Sequence, residues 1–498
     1  MFRLFLIAAG TLLASYLYTR LRYARDRQYA HIPQLPNHIL WGHLKTFGEF
    51  MSRGIHDRHP DKIFEEMWES MSRPSIMLVD LRPINAPMVL VPSHNIAEQI
   101  SKPSKLFPLS TPKSPTWTHM IPIIGKTAIL GREGQAWKDL RKRYNPGFTT
   151  QHLWTLLPLI LEKMEPFWNY LDQFAASIQL NAQHMDRSKQ GELIRLFGEL
   201  VQTYSDDKNN LPWWIVPFTT MKRKRLARRI DMLIKNIIQQ KYAELKEEAE
   251  GNRSRSIVAL GFQDTGELTP QLLSETSDQV RSFLSAGHDT NTSMLQWAFY
   301  ELSRTPRALK AVRDELDEIL GPQTDPRTIC ALLAQEGEHL LPRMHYINVV
   351  IKETLHLHPP ASTVRMTDPG TGFTVHAPTG EEYNLDGRDP AVYGDTANDW
   401  VPERWLGEEA KSIPASAWRP FERGPRNCIG LELANLESRI IIATVARKYD
   451  FIKMGLGESA LDEEGLPVLN DKGQYKTRRM TSKPVDGTMM KVKLAPKS

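Results

Sequence analysis

Apolar residues run without a charge from Leu4 to Tyr18, and Arg20, Arg22, Arg25 and Arg27 follow at once. A bilayer core takes about 20 apolar residues of helix, so this run is at the short end of a span, lengthened by Phe2 and by the interfacial Tyr16 and Tyr18. The pattern predicts a signal anchor over residues 1–30, its arginines keeping the remainder cytoplasmic. A cleaved secretory peptide is the rival, but no small-x-small site follows the run. Ile32-Pro-Gln-Leu-Pro36 then breaks regular structure as a stiff hinge. Beyond it, apolar positions recur at helical period over roughly 133–145, 150–178, 190–205, 222–250, 270–304, 305–320 and 340–357, and again after Cys428 to about 448. Short β-prone runs lie near 76–91, 361–376 and the C-terminus. With no repeat and no low-complexity linker, the expectation is one mainly α unit with small β-sheets over residues 31–498.

Composition changes this picture little. Of 498 residues, 41% are apolar, enough to bury a core without stapling. Two cysteines, Cys330 and Cys428, cannot make a disulfide framework and fit a reducing compartment. Net charge is +5, but the Lys and Arg excess is scattered in short runs, so no nucleic-acid-binding arm is expected.

The chemistry concentrates in the last third. In Phe421-Glu-Arg-Gly424-Pro-Arg426-Asn-Cys428-Ile-Gly430, glycines let the backbone turn tightly around a sulfur, and Arg426 is placed to hold an anion. A thiolate on iron needs such a loop, with N–H groups near the sulfur and a cation for a haem propionate. A lone cysteine is more often structural than a ligand, which is the reading for Cys330 in Thr-Ile-Cys-Ala-Leu.

The ten residues around Cys428 resemble the cysteine-loop signature of the cytochrome P450 family, matching at Phe421, Gly424, Arg426, Cys428 and Gly430. The resemblance covers nearly the whole chain and is strongest to fungal microsomal members that oxidise secondary metabolites of the sterigmatocystin and aflatoxin type. It implies the cytochrome P450 fold, haem b as cofactor, and Cys428 as the metal ligand. Phe283-Leu-Ser-Ala286-Gly287-His288-Asp289-Thr290 resembles the family's oxygen-binding motif. Ala286 and Gly287 would let a long helix pass close over the porphyrin, a local break in its ladder would open space, and Asp289 and Thr290 would relay protons. Trp137 and Arg141, four apart on one helix face, are expected at a propionate, as is Arg365. Lys138, Lys142 and Arg143 would face an acidic electron donor or merely solvent. The loop from Leu106 to Gly131 would contact substrate. Leu211-Pro-Trp213-Trp214-Ile-Val-Pro-Phe218, followed by Lys222-Arg-Lys-Arg225 and Arg228-Arg229, would dip into a membrane surface or pack in the core.

Three departures from the family pattern stand out. The helix motif Glu-x-x-Arg reads Glu353-Thr-Leu-His356, although Arg404 in Pro402-Glu403-Arg404-Trp405 remains. Histidine is shorter and forms no fork, so Glu353 is expected to lose pairing and to regain it when arginine is restored. Leu385-Asp-Gly387 runs straight into Arg388-Asp-Pro390, and Gln179 to Gln190 is abbreviated. The resulting expectation is a single-pass monooxygenase of the endoplasmic reticulum membrane, its catalytic domain cytoplasmic. It would oxidise a lipophilic small molecule with electrons from a separate NADPH-cytochrome P450 reductase, with cytochrome b5 as a second donor. Its rivals are a catalytically impaired homologue and a haem-thiolate isomerase or dehydratase that needs no dioxygen.

Overall fold

The computed structural model describes residues 2–53, 58–176, 191–206, 215–247, 256–262, 267–367, 375, 390–454, 460–461, 467–468, 476–478, 481–485 and 487–496. Its helices are α1 (Phe2–Arg22), α2 (Leu44–Ser52), α3 (Pro60–Glu69), α4 (His94–Ser101), α5 (Ile121–Ile124), α6 (Gly134–Tyr144), α7 (Thr150–Glu162), α8 (Glu165–Ala176) and α9 (Glu192–Asp206). They continue as α10 (Pro217–Glu247), α11 (Ile257–Leu260), α12 (Pro270–Arg304), α13 (Pro306–Leu320), α14 (Pro326–Leu340), α15 (His345–Leu357), α16 (Pro390–Tyr393), α17 (Glu409–Ser412) and α18 (Leu431–Val445). Among the described residues, four antiparallel two-stranded sheets pair β1 (Met77–Val79) with β2 (Met88–Leu90), β3 (Tyr449–Lys453) with β8 (Met490–Leu494), β4 (Ala460–Leu461) with β5 (Pro467–Val468), and β6 (Lys476–Arg478) with β7 (Ser482–Pro484). The chain is therefore mainly α with small sheets, as its pattern predicts.

The chain divides into two compact units, Met1–Lys102 with Gly372–Asp399 and Ser412–Trp418, and Pro103–Thr371 with Trp400–Lys411 and Arg419–Ser498. In the first, α1 has 21 residues and so spans about 31 Å at 1.5 Å per residue, close to a hydrocarbon core. The helical stretch Phe2–Arg27 has a mean hydropathy of 1.4 and is long and apolar enough to cross a membrane. Its end is fastened by Arg25, which pairs with Asp80 at 2.5 Å and donates to the carbonyls of Ile39, Leu40 and Arg82.

In the second unit α12 is the central element. Thr269 caps it by accepting from the Leu272 N–H, and Pro270 fills its first turn. Its span is the one expected. The run 150–178 is instead two helices, because Pro166 in the first turn of α8 cannot continue the ladder from α7. The segment expected from 340 begins at His345, behind a 3₁₀ turn at Leu341–Arg343, and residues 326–340 form α14. No strand occupies the described residues of 361–376, where Arg365 makes only an isolated bridge with Lys113. Trp213, Trp214, Gln179–Gln190 and Leu385–Asp389 lie outside the described residues.

Candidate functional site

The cysteine loop is closed by its own backbone. The Cys428 N–H donates to the Phe421 carbonyl at 2.8 Å, and the Asn427 N–H to that of Gly424 at 3.2 Å. Gly424 has φ +76°, a conformation that glycine adopts without strain. Cys428 is exposed to solvent, yet burial pushes its thiol up, opposed by the Gly430 N–H and the Arg141 guanidinium. Such a thiol becomes a thiolate readily only when a metal or cation takes the charge. Cys330 on α14 is buried, and burial pushes it up to about 12, in keeping with a core residue.

Helix α12 is pinned beside this loop at two points. Phe283 packs edge-on to Tyr144 and Phe148, centroids 5.2 Å away, in the cluster that also holds Trp137, Ile429 and Leu433. Two turns on, Asn291 donates to Glu437 of α18 at 2.8 Å and accepts from Ser438 at 2.9 Å. Between these points Ala286, Gly287 and His288 are exposed, although Ser285 and Asp289 on either side are buried. A Cβ on Gly287 would meet nothing within 4 Å. The expected break in the ladder is absent: α12 is continuous, and the room comes from small side chains. The Thr290 hydroxyl donates to the Ala286 carbonyl at 2.5 Å, and Asp289 is paired with Lys483 of β7.

Three cations meet near the loop. Arg426 is buried, lies over the Trp137 ring at 5.2 Å, donates to the Arg132 carbonyl at 2.7 Å and pairs with Glu133. Arg365 donates to Ser110 and the Thr111 carbonyl, both at 3.2 Å, and lies 3.6 Å from Glu422. Burial and the neighbouring Arg365 push Lys113 down to about 8. Arg141 turns elsewhere: it donates to the Asn427 carbonyl at 2.7 Å and side chain at 3.0 Å, bracing the loop next to Cys428. Lys138 and Lys142 of α6 are exposed, whereas Arg143 pairs with Glu275 at 2.7 Å.

Glu353 is fully buried and fully served. Its Oε1 accepts from the Val401 N–H at 2.8 Å and Arg404 Nε at 2.9 Å, and its Oε2 from Trp405 Nε1 at 2.8 Å and His356 Nδ1 at 3.1 Å. Burial works against its charge, but His356, Arg404 and the Val401 N–H outweigh it and hold the carboxyl below its usual value. The expected loss of pairing does not occur, because Trp405 supplies a donor that the sequence motif does not reveal.

A family model described as Cytochrome P450 matches residues 176–477. The chain belongs to the cytochrome P450 family. Cytochrome P450 monooxygenase acrF of Aspergillus aculeatus is 26% identical over 80% of this chain and 89% of its own. Cytochrome P450 monooxygenase polC of Polytolypa hystricis is 24% identical over 93% and 89%. The bifunctional cytochrome P450/NADPH–P450 reductase ascE of Acremonium egyptiacum is 35% identical over 35% of this chain and 17% of its own. The heme domain of cytochrome P450DA shares the fold, with a TM-score of 0.66 at 16% identity over 93% of this chain and 98% of its own. This P450 is a monooxygenase whose cofactor is haem held by a cysteine thiolate.

The residues present fit that cofactor. Cys428 is free and exposed, the space over Gly287 is open, and Glu133 and Glu422 already place carboxylates on Arg426 and Arg365, the group a propionate presents. Lys113, Lys483, Trp405, Glu133 and Glu422 are not legible in the sequence, since each meets the site residue it serves, Thr363, Asp289, Glu353, Arg426 and Arg365, across long stretches of chain. The local signal is an aromatic residue in one motif and a cation in the other, Trp137 and Arg426, which pack together.

Proposed function

We propose that this P450 is a membrane-anchored monooxygenase that oxidises a lipophilic small molecule of the fungal secondary-metabolite class at the endoplasmic reticulum. The observations that carry the reading are the exposed Cys428 in its closed loop, the exposed small residues Ala286 and Gly287 on the helix pinned beside that loop, and the cations Arg365 and Arg426 next to it. Cys428 would ligate the iron, Arg365 and Arg426 would hold propionates, and Trp137 would hold Arg426 in place through its ring. When bound, the haem supplies the redox chemistry by which one atom of dioxygen enters the substrate and the other leaves as water. Arg141 braces the loop so that the sulfur keeps its aim. Thr290 holds a hydroxyl proton and Asp289 a carboxylate beside the opening, where they would relay protons, and the apolar cluster around Phe283 would limit bulk water.

Anchoring is supported by α1 and by α10, whose Phe218 and Met221 are 83% and 68% exposed and are followed by the exposed Lys222, Lys224 and Arg225. Electrons would come from a separate NADPH-cytochrome P450 reductase, with cytochrome b5 as an auxiliary donor, docking on a face that includes Lys138 and Lys142. His356 no longer favours an impaired homologue, since Glu353 keeps four donors.

The test is incubation of haem-loaded membranes with a panel of lipophilic polyketides, NADPH, added reductase and heavy-isotope dioxygen. One labelled oxygen in a product, dependent on reductase, supports the proposal. Product formed without reductase or dioxygen would replace it with an isomerase or dehydratase.

A further inference from the structure

Asp289 owes its geometry to a cation from the far end of the chain. Lys483 lies on β7, and that strand is fastened to α12. The Ser482 carbonyl accepts from the Ser293 hydroxyl at 2.8 Å and from Trp297 Nε1 at 3.3 Å, while the Ser482 N–H donates to the Pro360 carbonyl at 2.8 Å. Beyond the strand, Gln296 donates to the Gly487 carbonyl at 3.4 Å. Residue 483 is thus held in register with residue 289, and both side chains are largely buried, at 16% and 2% exposure. The ammonium takes one oxygen, Oδ1. The other, Oδ2, is buried and has no hydrogen-bond partner among the described residues. His288 is a further titratable neighbour among the described residues. Burial lowers it, Asp289 raises it and Lys483 lowers it, so the three groups share one local field.

A buried polar atom left without a partner needs a reason, and water or a functional role is the usual one. A lysine ammonium is a compact point charge that fixes one oxygen without covering both, as an arginine fork would. We propose that Lys483 is a positioning residue for proton delivery: by pinning Oδ1 it presents Oδ2 of Asp289 as the oxygen that exchanges protons with water beside Ala286 and Gly287. Oδ2 takes a proton from a hydronium ion supplied by bulk water, leaving water, and passes it to a water in the opening, and Asp289 returns to the carboxylate that Lys483 holds. Nothing in the chain near Asp289 encodes this partner, which lies 194 residues away. The inference rests on the monooxygenase reading and adds to it the residue that aims its proton donor.

The test uses full-length protein, wild type, Lys483→Met, Asp289→Asn and the double variant. Without its ammonium, a buried carboxylate neutralises by taking up a proton. Lys483→Met is therefore expected to show a carboxylic-acid stretching band in the infrared that the double variant lacks, a readout that needs no turnover. With reductase, NADPH and dioxygen but no organic substrate, one NADPH is used per dioxygen reduced to peroxide and two per dioxygen reduced to water. The share of peroxide is expected to rise several-fold in Lys483→Met and no further in the double variant. If the folded Lys483→Met protein shows no such band, or an unchanged peroxide share, or an effect that adds to that of Asp289→Asn, the proposal fails. If Lys483→Met does not accumulate, Lys483→Gln undergoes the same measurements with the same outcomes. A reduced, CO-bound spectrum with a thiolate signature in every protein separates that failure from failure of the monooxygenase reading.

Discussion

Restoring arginine at position 356 is expected to destabilise this protein, contrary to what the family motif suggests. An ionised carboxylate offers about four acceptor sites. Glu353 already receives four donors at 2.8 to 3.1 Å, two on each oxygen. Replacing His356 removes one of these donors, so a guanidinium refills that single site on Oε2 and can bond through its fork only by displacing a donor already in place. Space is equally short: the His356 side chain is 1% exposed, and its ring sits edge-on to Trp405 with centroids 5.8 Å apart. Forcing a longer side chain into a packed site costs about 1–3 kcal/mol, and a second buried cation beside Arg404 adds desolvation that one carboxylate cannot offset. Thermal unfolding of His356→Arg against wild type, at equal haem content, is expected to show a midpoint lower by several degrees and a smaller yield of haem-thiolate protein. A higher midpoint or a larger yield would refute the reasoning and show that histidine leaves Glu353 short of a partner.

Glu353 also sets an acid limit. Its carboxyl is held below the ordinary value of 4.5, so the unfolded chain binds more protons; the stabilisation is full above that value and is lost as pH falls through the lower, folded one. Unfolding midpoints measured down the acid side should drop below about pH 4.5, and the drop should be shallower in Glu353→Gln, itself less stable throughout. Arg426→Leu and Arg365→Leu each remove a charge-assisted contact of about 1.5–3 kcal/mol, so haem should pass to excess apomyoglobin roughly tenfold or more faster than from wild type. Transfer at the wild-type rate would remove these arginines from the propionate site.

The extent of what the sequence discloses follows the range of the interactions. Helix α12 is legible to its ends because its cap, Thr269-Pro270, and its apolar period are both local. Helix α14 carries equally local signals, Asp325 accepting from the Thr328 N–H and Pro326 in the first turn, but Gly337 interrupts a pattern that then merges with the next helix. The cysteine loop is legible because a tight turn around a sulfur demands particular residues in a row. The groups that aim the loop's partners are not: Lys483 reaches Asp289, Trp405 reaches Glu353, and Glu133 reaches Arg426 through tertiary packing alone. Arg141 shows the converse, a residue whose place on a helix face is predictable and whose observed partner, Asn427, is not.

The assignment of Cys428 as the haem ligand is tested most directly by the reduced, CO-bound difference spectrum of membranes carrying wild type and Cys428→Ser. The account predicts the long-wavelength Soret band of a thiolate haem in wild type and its loss in the variant, with Cys330→Ser unchanged. A band of unchanged position and size in Cys428→Ser would contradict it.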